Sequence, residues 1–132
     1  ENSPHLAKFD DETSGTLEQR ARAWLDINCA HCHNRKGPAN TSGLFLTAEE
    51  KDSTAIGFCK TPVAAGRGAG TFKYDIVSGK PDESILVYRV ASTEPDVMMP
   101  ELGRKTVHLE GLNLLRDWIA AMDSTKTCRE IN

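Results

Sequence analysis

The sequence contains few aromatic residues and no long apolar run. Phe, Tyr and Trp together make up 6% of its 132 residues, and this scarcity predicts a small apolar core. The longest apolar stretches, such as residues 85–88, are far shorter than the roughly 20 residues that a transmembrane helix requires. A membrane span is therefore not expected in this sequence.

A strong net charge is also lacking. The chain has 16 Lys and Arg residues against 19 Asp and Glu residues, a formal net charge of −3. It has no basic run of the kind that binds nucleic acids, so no nucleic-acid partner is expected. A chain of this length has room for one domain. The first residues, Glu1–His5, show no starting Met and no signal-peptide pattern, and they are typical of a mature or excised fragment.

The spacing of apolar residues predicts an all-α chain of about four short helices with almost no strand. Thr16 and Gln19 match a capping box, and the apolar face that follows predicts a first helix that runs up to Cys29. A weaker helix is predicted to start at Thr47. Pro81, followed by two acidic residues, predicts a third helix that extends to about Ala91.

The last helix has the clearest pattern. Its apolar residues recur at helical spacing and are Leu112, Leu115, Trp118, Ile119 and Met122. Residues 72–77 are predicted to form a short extended piece. Residues 1–12 are polar and without periodicity, which predicts a linker or an arm lying over the domain, and residues 13–132 are assigned to that domain.

The most informative string is Cys29-Ala30-His31-Cys32-His33. C-x-x-C-H is the attachment signature of a c-type haem. Residues three and four apart share one side of a helical turn, so both thiols can reach the vinyl groups of one porphyrin. His33 is then carried to the iron as an axial ligand. The motif predicts one covalent haem c.

Two other interpretations of the cysteines are weighed against haem. A thioredoxin-like dithiol normally follows a strand and begins a helix, whereas this motif ends a helix. A structural zinc module needs a second close pair of ligands, and Cys59 and Cys128 stand far apart in the chain. Only His5 and His108 could supplement them.

A second axial ligand of the iron is expected to be a methionine, which raises the reduction potential. Met122 lies on the apolar face of the last helix and is interpreted as a core residue. Met98 and Met99 lie in a segment that Pro100 keeps out of a helix. Met99 is the predicted ligand because the following proline favours an extended backbone, and Met98 is the alternative. His108, just before the last helix, is the third candidate, but it is interpreted as a cap or surface residue.

Over residues 13–123 the chain resembles a class I (His/Met) cytochrome c domain. The parts follow the order of that family: a helix, the Cys29–His33 motif, Gly37-Pro38, Met99-Pro100, and a closing helix with Leu115 and Trp118. The resemblance implies a small cytochrome c fold in which about four helices and their loops wrap around one haem. It also implies that the N- and C-terminal helices cross, with Ala21 and Leu25 facing Leu115 and Trp118.

The same resemblance assigns a role to Pro38. In the family, the carbonyl of the proline after the loop glycine accepts a hydrogen bond from Nδ1–H of the ligand histidine. Carried over, the carbonyl of Pro38 would orient His33 and raise the basicity of its imidazole.

A closer resemblance covers the C-terminal half, from Val77-x-Gly79-Lys80-Pro81 to Leu115-x-x-Trp118-Ile119. It is similar to haem domains appended to large secreted bacterial proteins. There an arginine that precedes the methionine lies near the haem, so Arg89 is expected to contact a propionate; the alternative is a solvated helix residue. The chain departs from short cytochromes in a long, glycine-rich segment, residues 44–72, which carries Cys59.

The function implied is electron transfer by a monomeric domain of a larger periplasmic or secreted protein. It would have no catalytic residues and would not itself be an enzyme. Its redox partner is expected to be a secreted copper oxygenase, a dehydrogenase or an oxidase. The main alternative is a haem enzyme or sensor whose methionine can be displaced, as in a peroxidase or a gas-binding protein.

The export of haem c proteins also bears on the other two cysteines. Disulfides persist outside the cytoplasm, so a Cys59–Cys128 bond that ties the long segment to the C-terminal tail is expected. Spacing alone does not establish that the sulfurs meet, and two separate buried thiols are the alternative.

Overall fold

The computed structural model describes residues 7–63, 66–100 and 107–128. Its α-helices are α1 (Leu17–Asn28), α2 (Ser53–Ile56), α3 (Ile85–Val90) and α4 (Leu109–Ala120). Short 3-10 turns cover Asn40–Ser42, Gly66–Ala69 and Pro81–Glu83. Within the described ranges there is no strand, and β-pairing is limited to two isolated bridges, Phe58 with Ile76 and Tyr74 with Ser84. The all-α prediction is confirmed at this level.

The first helix begins as the sequence predicts. The Thr16 hydroxyl accepts a 3.1 Å hydrogen bond from the amide of Gln19, whose side-chain oxygen accepts a 2.9 Å bond from the Thr16 amide. This reciprocal capping box satisfies two amides that a helix start leaves without partners. The opposite end of α1 is capped by Cys29, so the helix leads directly into the cysteine motif.

The predicted helix from Thr47 is wrong. Residues 47–50 form a turn closed by the Glu50 amide on the Thr47 carbonyl at 3.1 Å. Arg22 of α1 donates hydrogen bonds to the carbonyls of Thr47 and Glu50, at 3.0 and 2.8 Å. These two hydrogen bonds hold the turn against α1. The helix starts later, at α2, where Asp52 supplies the N-cap.

The predicted helix from Pro81 to Ala91 is interrupted at Ser84. Its backbone is extended there (φ −100°, ψ 125°), and the buried hydroxyl bonds elsewhere. It accepts from the Val77 amide at 2.9 Å and donates to the Lys80 carbonyl at 3.0 Å. A serine side chain that competes for backbone groups in this way breaks a helix, so a 3-10 turn and the shorter α3 replace one long helix.

Helices α1 and α4 pack against each other. The buried face of α4 comprises Gly111, Leu114, Leu115, Trp118 and Ile119. Ala21 and Leu25 of α1 belong to the same core cluster as Leu115 and Trp118, in agreement with the predicted pairing of the two helices. Leu112 and Met122 are only partly buried against this core, so the buried face is rotated relative to the predicted one.

The two cysteines outside the motif form a disulfide. The Cα atoms of Cys59 and Cys128 lie 5.3 Å apart, and the bond ties the segment after α2 to the tail after α4. This geometry agrees with the expected pairing rather than with two separate thiols. Near the N-terminus, Phe9 packs on the core, and its carbonyl accepts a 2.8 Å bond from Arg20. No helix in the described part of the chain has the length and hydrophobicity to cross a bilayer.

Candidate functional site

A cavity of about 620 Å³ lies between the end of α1, the loop after it and α3. This volume is within the range of sites that enclose a cofactor or small ligand, about 300–1,000 Å³. Most of its wall is apolar and consists of Leu44, Leu46, Ile56, Ile76, Ile85, Leu86 and Val90. Much of this wall is completely buried, so the cavity cuts into the core.

The cysteine motif forms a helical turn at one side of this cavity. The amides of Cys32 and His33 both bond to the carbonyl of Cys29, at 3.2 and 2.9 Å. All three residues line the cavity, so one turn brings two thiols and an imidazole to the same space. The loop after the motif passes close to the backbone of Cys32. A Cβ on Gly37 would lie 2.5 Å from the Cys32 carbonyl oxygen, so this position requires glycine.

Burial strongly affects the thiol of Cys29. Removal from water raises its pKa to about 12, with a smaller contribution from Cys32. The thiol is thus neutral at physiological pH, whereas the nucleophilic cysteine of a dithiol oxidoreductase has a lowered pKa. The electrostatics at Cys29 therefore disfavour the thioredoxin-like interpretation.

His33 is oriented by groups from the loop that follows it. Its Nδ1 lies 3.3 Å from the Leu44 carbonyl oxygen and 3.4 Å from the Ser42 hydroxyl. A proton on Nδ1 directed at these oxygens leaves the lone pair on Nε2, as a metal-ligating imidazole requires. Pro38 lines the cavity as well. Its carbonyl would compete with Leu44 and Ser42 for the Nδ1 proton, and the hydrogen bond that the resemblance implies stays a prediction.

Met99 reaches the same cavity from a distant part of the chain, and so does the adjacent Pro100. The Met99 amide donates a 3.1 Å hydrogen bond to the carbonyl of Arg89, at the end of α3. Met98, the alternative ligand, does not line the cavity, and its amide bonds to the Glu94 carbonyl at 2.8 Å. Of the two adjacent methionines, the structure therefore brings Met99 to the cysteine motif.

Arg89 also borders the cavity. Its Nε donates a 3.0 Å hydrogen bond to the Val97 carbonyl, and its guanidinium lies against Gly68, where a Cβ would be 2.7 Å from Cζ. It is thus not simply a solvated helix residue. Its contact with a haem propionate stays a prediction.

Asp75 is a cavity residue that the sequence analysis did not identify. It is 7% exposed, and Nζ of Lys60 lies 3.7 Å from its carboxylate. Burial raises the pKa of Asp75, an effect that Lys60 and then Arg89 partly oppose. The only signal in the sequence is a single acid between Tyr74 and Ile76 in a segment predicted to be extended.

Within the part of the chain that the structure describes, the remaining candidates do not assemble into a second site. Cys59 and Cys128 are bonded to each other, so neither is free to act as a thiolate ligand of zinc. His108 is the N-cap of α4, and His5 lies outside the described residues. In residues 7–63, 66–100 and 107–128, no three His, Cys, Asp or Glu side chains come together as a metal site would need.

The chain matches no protein-family model, and searches of the curated proteins and of the solved structures return no significant match. The cavity and its lining residues are therefore the basis for a functional proposal.

Proposed function

We propose that this chain is an electron-transfer module of the class I cytochrome c type that carries one covalent haem c. One observation supports this most strongly. Cys29 and Cys32, predicted to attach the haem, and His33 and Met99, predicted to hold its iron, all line one apolar cavity of about 620 Å³. Met99 is far from the motif in sequence, so its presence in the same cavity is independent support.

The donor set suits haem in chemistry as well as in position. Two thiols within one turn are suited to forming two thioether bonds, each by addition of S–H across a vinyl group. His33 and Met99 would supply an imidazole and a thioether to the iron, the donor pair of His/Met cytochromes. The apolar wall would exclude water from the group. When bound, the haem supplies a site for reversible one-electron transfer.

Electron transfer is favoured over catalysis by the same donor set. If His33 and Met99 both held the iron, no coordination position would be left open for a substrate. The thioether and the buried surroundings favour the reduced state, so a positive reduction potential is expected. The electron would pass to or from a redox partner protein, such as a secreted copper oxygenase, a dehydrogenase or an oxidase.

The disulfide agrees with a location outside the cytoplasm. Such bonds persist in the periplasm and in secreted proteins and are rare in the cytoplasm. Haem c is attached in the same oxidising setting, so the Cys59–Cys128 bond and the cysteine motif point to one compartment. We therefore propose a periplasmic or secreted module of a larger protein.

Mass spectrometry of the denatured protein tests the proposal directly. The chain is exported in a host that attaches haem c, alongside a C29A/C32A variant and a C59S/C128S control. The wild-type chain and the control should gain the mass of one haem, and C29A/C32A should not. A colourless wild-type protein without added mass would refute the haem assignment.

Spectroscopy of the loaded protein separates a carrier from a haem enzyme. A carrier should show low-spin ferric haem with the far-red band of methionine ligation, and one reversible one-electron wave in a redox titration. High-spin ferric haem that binds cyanide rapidly would instead favour the enzyme or sensor alternative.

A further inference from the structure

Two separate hydrogen bonds connect Arg89 to the segment that carries Met99. Its backbone carbonyl accepts from the Met99 amide at 3.1 Å, and its side-chain Nε donates to the Val97 carbonyl at 3.0 Å. The side chain of Arg89 thus holds Val97, and its backbone holds Met99, the two ends of residues 97–99.

The position of the guanidinium is itself constrained. Gly68 lies so close that a Cβ there would be 2.7 Å from Cζ and 3.0 Å from Nε of Arg89. Arg89 also sits in the last turn of α3, between the buried residues Val87 and Val90. A rigid helix and a close glycine backbone therefore fix the donor that reaches Val97.

A second arginine contacts the residues just before this segment, without this geometry. Arg67 forms ion pairs with Glu94 and Asp96 at 3.3 and 3.2 Å, and all three side chains are largely exposed. Exposed ion pairs contribute little to stability. Arg67 therefore serves as a matched control, because it is a neighbouring arginine whose ion pairs lie at the surface, outside residues 97–99.

From this geometry we propose that Arg89 is a positioning residue that holds Met99 at the iron, beyond any role it has toward a haem propionate. The inference rests on the proposed function. The Nε–H of Arg89 fixes the Val97 carbonyl, and its own carbonyl fixes the Met99 amide, so the thioether is presented by a segment with little freedom to swing away. Displacement of Met99 by an outside ligand then requires both bonds to break.

Lysine is the informative substitution at this site. It keeps the positive charge that a propionate contact would need, but it has no planar fork with a donor at the Nε position. R89K therefore separates positioning from charge. G68A provides a second route, since its added methyl displaces the guanidinium from Val97 while Arg89 itself is retained.

The experiment measures the affinity of the haem-loaded ferric protein for imidazole, which competes with the thioether. A hydrogen bond from a charged donor is worth enough to change such an equilibrium about tenfold or more. R89K and G68A should bind imidazole about tenfold more tightly than wild type, with a weaker far-red methionine band. R67Q should bind as wild type does.

The outcomes distinguish this inference from the proposed function. A wild-type protein without haem, or without the methionine band, contradicts the proposed function itself. If the wild type carries haem and R89K binds imidazole with wild-type affinity, the positioning role is overturned. A shift of the reduction potential in R89Q would then leave Arg89 a role through its charge. If R89K yields no loaded protein, G68A decides: wild-type affinity there also overturns the inference.

Discussion

The indole Nε1 of Trp24, in the middle of α1, donates a 3.1 Å hydrogen bond to Nδ1 of His108, the residue that caps α4. The planes of the two rings are 15° apart, with centroids separated by 5.8 Å. Nδ1 of His108 also accepts a 3.1 Å hydrogen bond from the Gly111 amide. One imidazole thus starts the last helix and connects it to the first.

Replacement of His108 should separate these two roles. H108A removes both the cap and the acceptor of the indole, and it should lower the free energy of unfolding by about 1–3 kcal/mol. H108N keeps a good capping side chain and should lose less. Urea unfolding measures both variants. Equal losses for the two would show that the cap contributes nothing.

G111A should destabilise the contact between α1 and α4. A Cβ on Gly111 would collide with the Trp24 indole, and overpacking of a core costs about 1–3 kcal/mol. Alanine is otherwise the better helix former. N113A, on the exposed face of the same helix, is the matched control and should be neutral or slightly stabilising in thermal unfolding. A stable G111A protein would contradict the tight packing.

M99A should remove the far-red band and the low-spin methionine spectrum of the ferric protein, because Met99 lines the cavity. M98A should leave both unchanged, since Met98 does not reach the cavity. Absorption spectra of the two loaded variants make the comparison. Loss of the band in M98A alone would transfer the ligand assignment to Met98.

Removal of the disulfide should destabilise the protein without loss of haem. The bond closes a loop of 69 positions, and the chain-entropy relation gives about 4 kcal/mol for a loop of that size. C59S/C128S should therefore unfold at lower denaturant than wild type in urea titrations. Equal midpoints for C59S/C128S and the wild type would contradict this.

Asp75 should make stability fall as pH rises. Its pKa is raised in the folded protein, mainly by burial, above the ordinary value of 3.8. Between those two pKa values the folded state keeps a proton that the unfolded state loses. The contribution of Asp75 to the free energy of unfolding therefore decreases as the pH rises from about 4 to the folded pKa.

The D75N variant provides the measurement. Its unfolding free energy should lose this downward slope, while E49Q, a change at an exposed acid, should keep it. Urea titrations from pH 4 upward give the slopes. If wild type and D75N run parallel over that range, Asp75 does not titrate with the raised pKa.

Local signals were sufficient for part of the fold. The Thr16–Gln19 capping box and the apolar periodicity of α4 depend on neighbouring residues, so both helices could be predicted. The start of α2 could not, because Arg22, distant in sequence, holds residues 47–50 in a turn. The break at Ser84 likewise depends on its bonds to Val77 and Lys80.

Some residues of the candidate site could likewise be predicted from local sequence, and others could not. The spacing of Cys29, Cys32 and His33 identifies them without any tertiary information. Met99 could be chosen over Met98 only through the backbone effect of Pro100. Asp75 and Gly68 have no local signature, because their importance comes from what the fold brings beside them: Lys60 in one case and the guanidinium of Arg89 in the other.

The position of the disulfide in the chain has a consequence for proteolysis. The closed loop runs from Cys59 to Cys128 and contains Met99, whereas the cysteine motif lies before it. A single backbone cut within the loop leaves two fragments covalently joined. A cut between His33 and Cys59 instead releases the motif from the ring, apart from the haem proposed to link them. Residues 34–58 are therefore the one stretch between the proposed ligands where a protease could separate them.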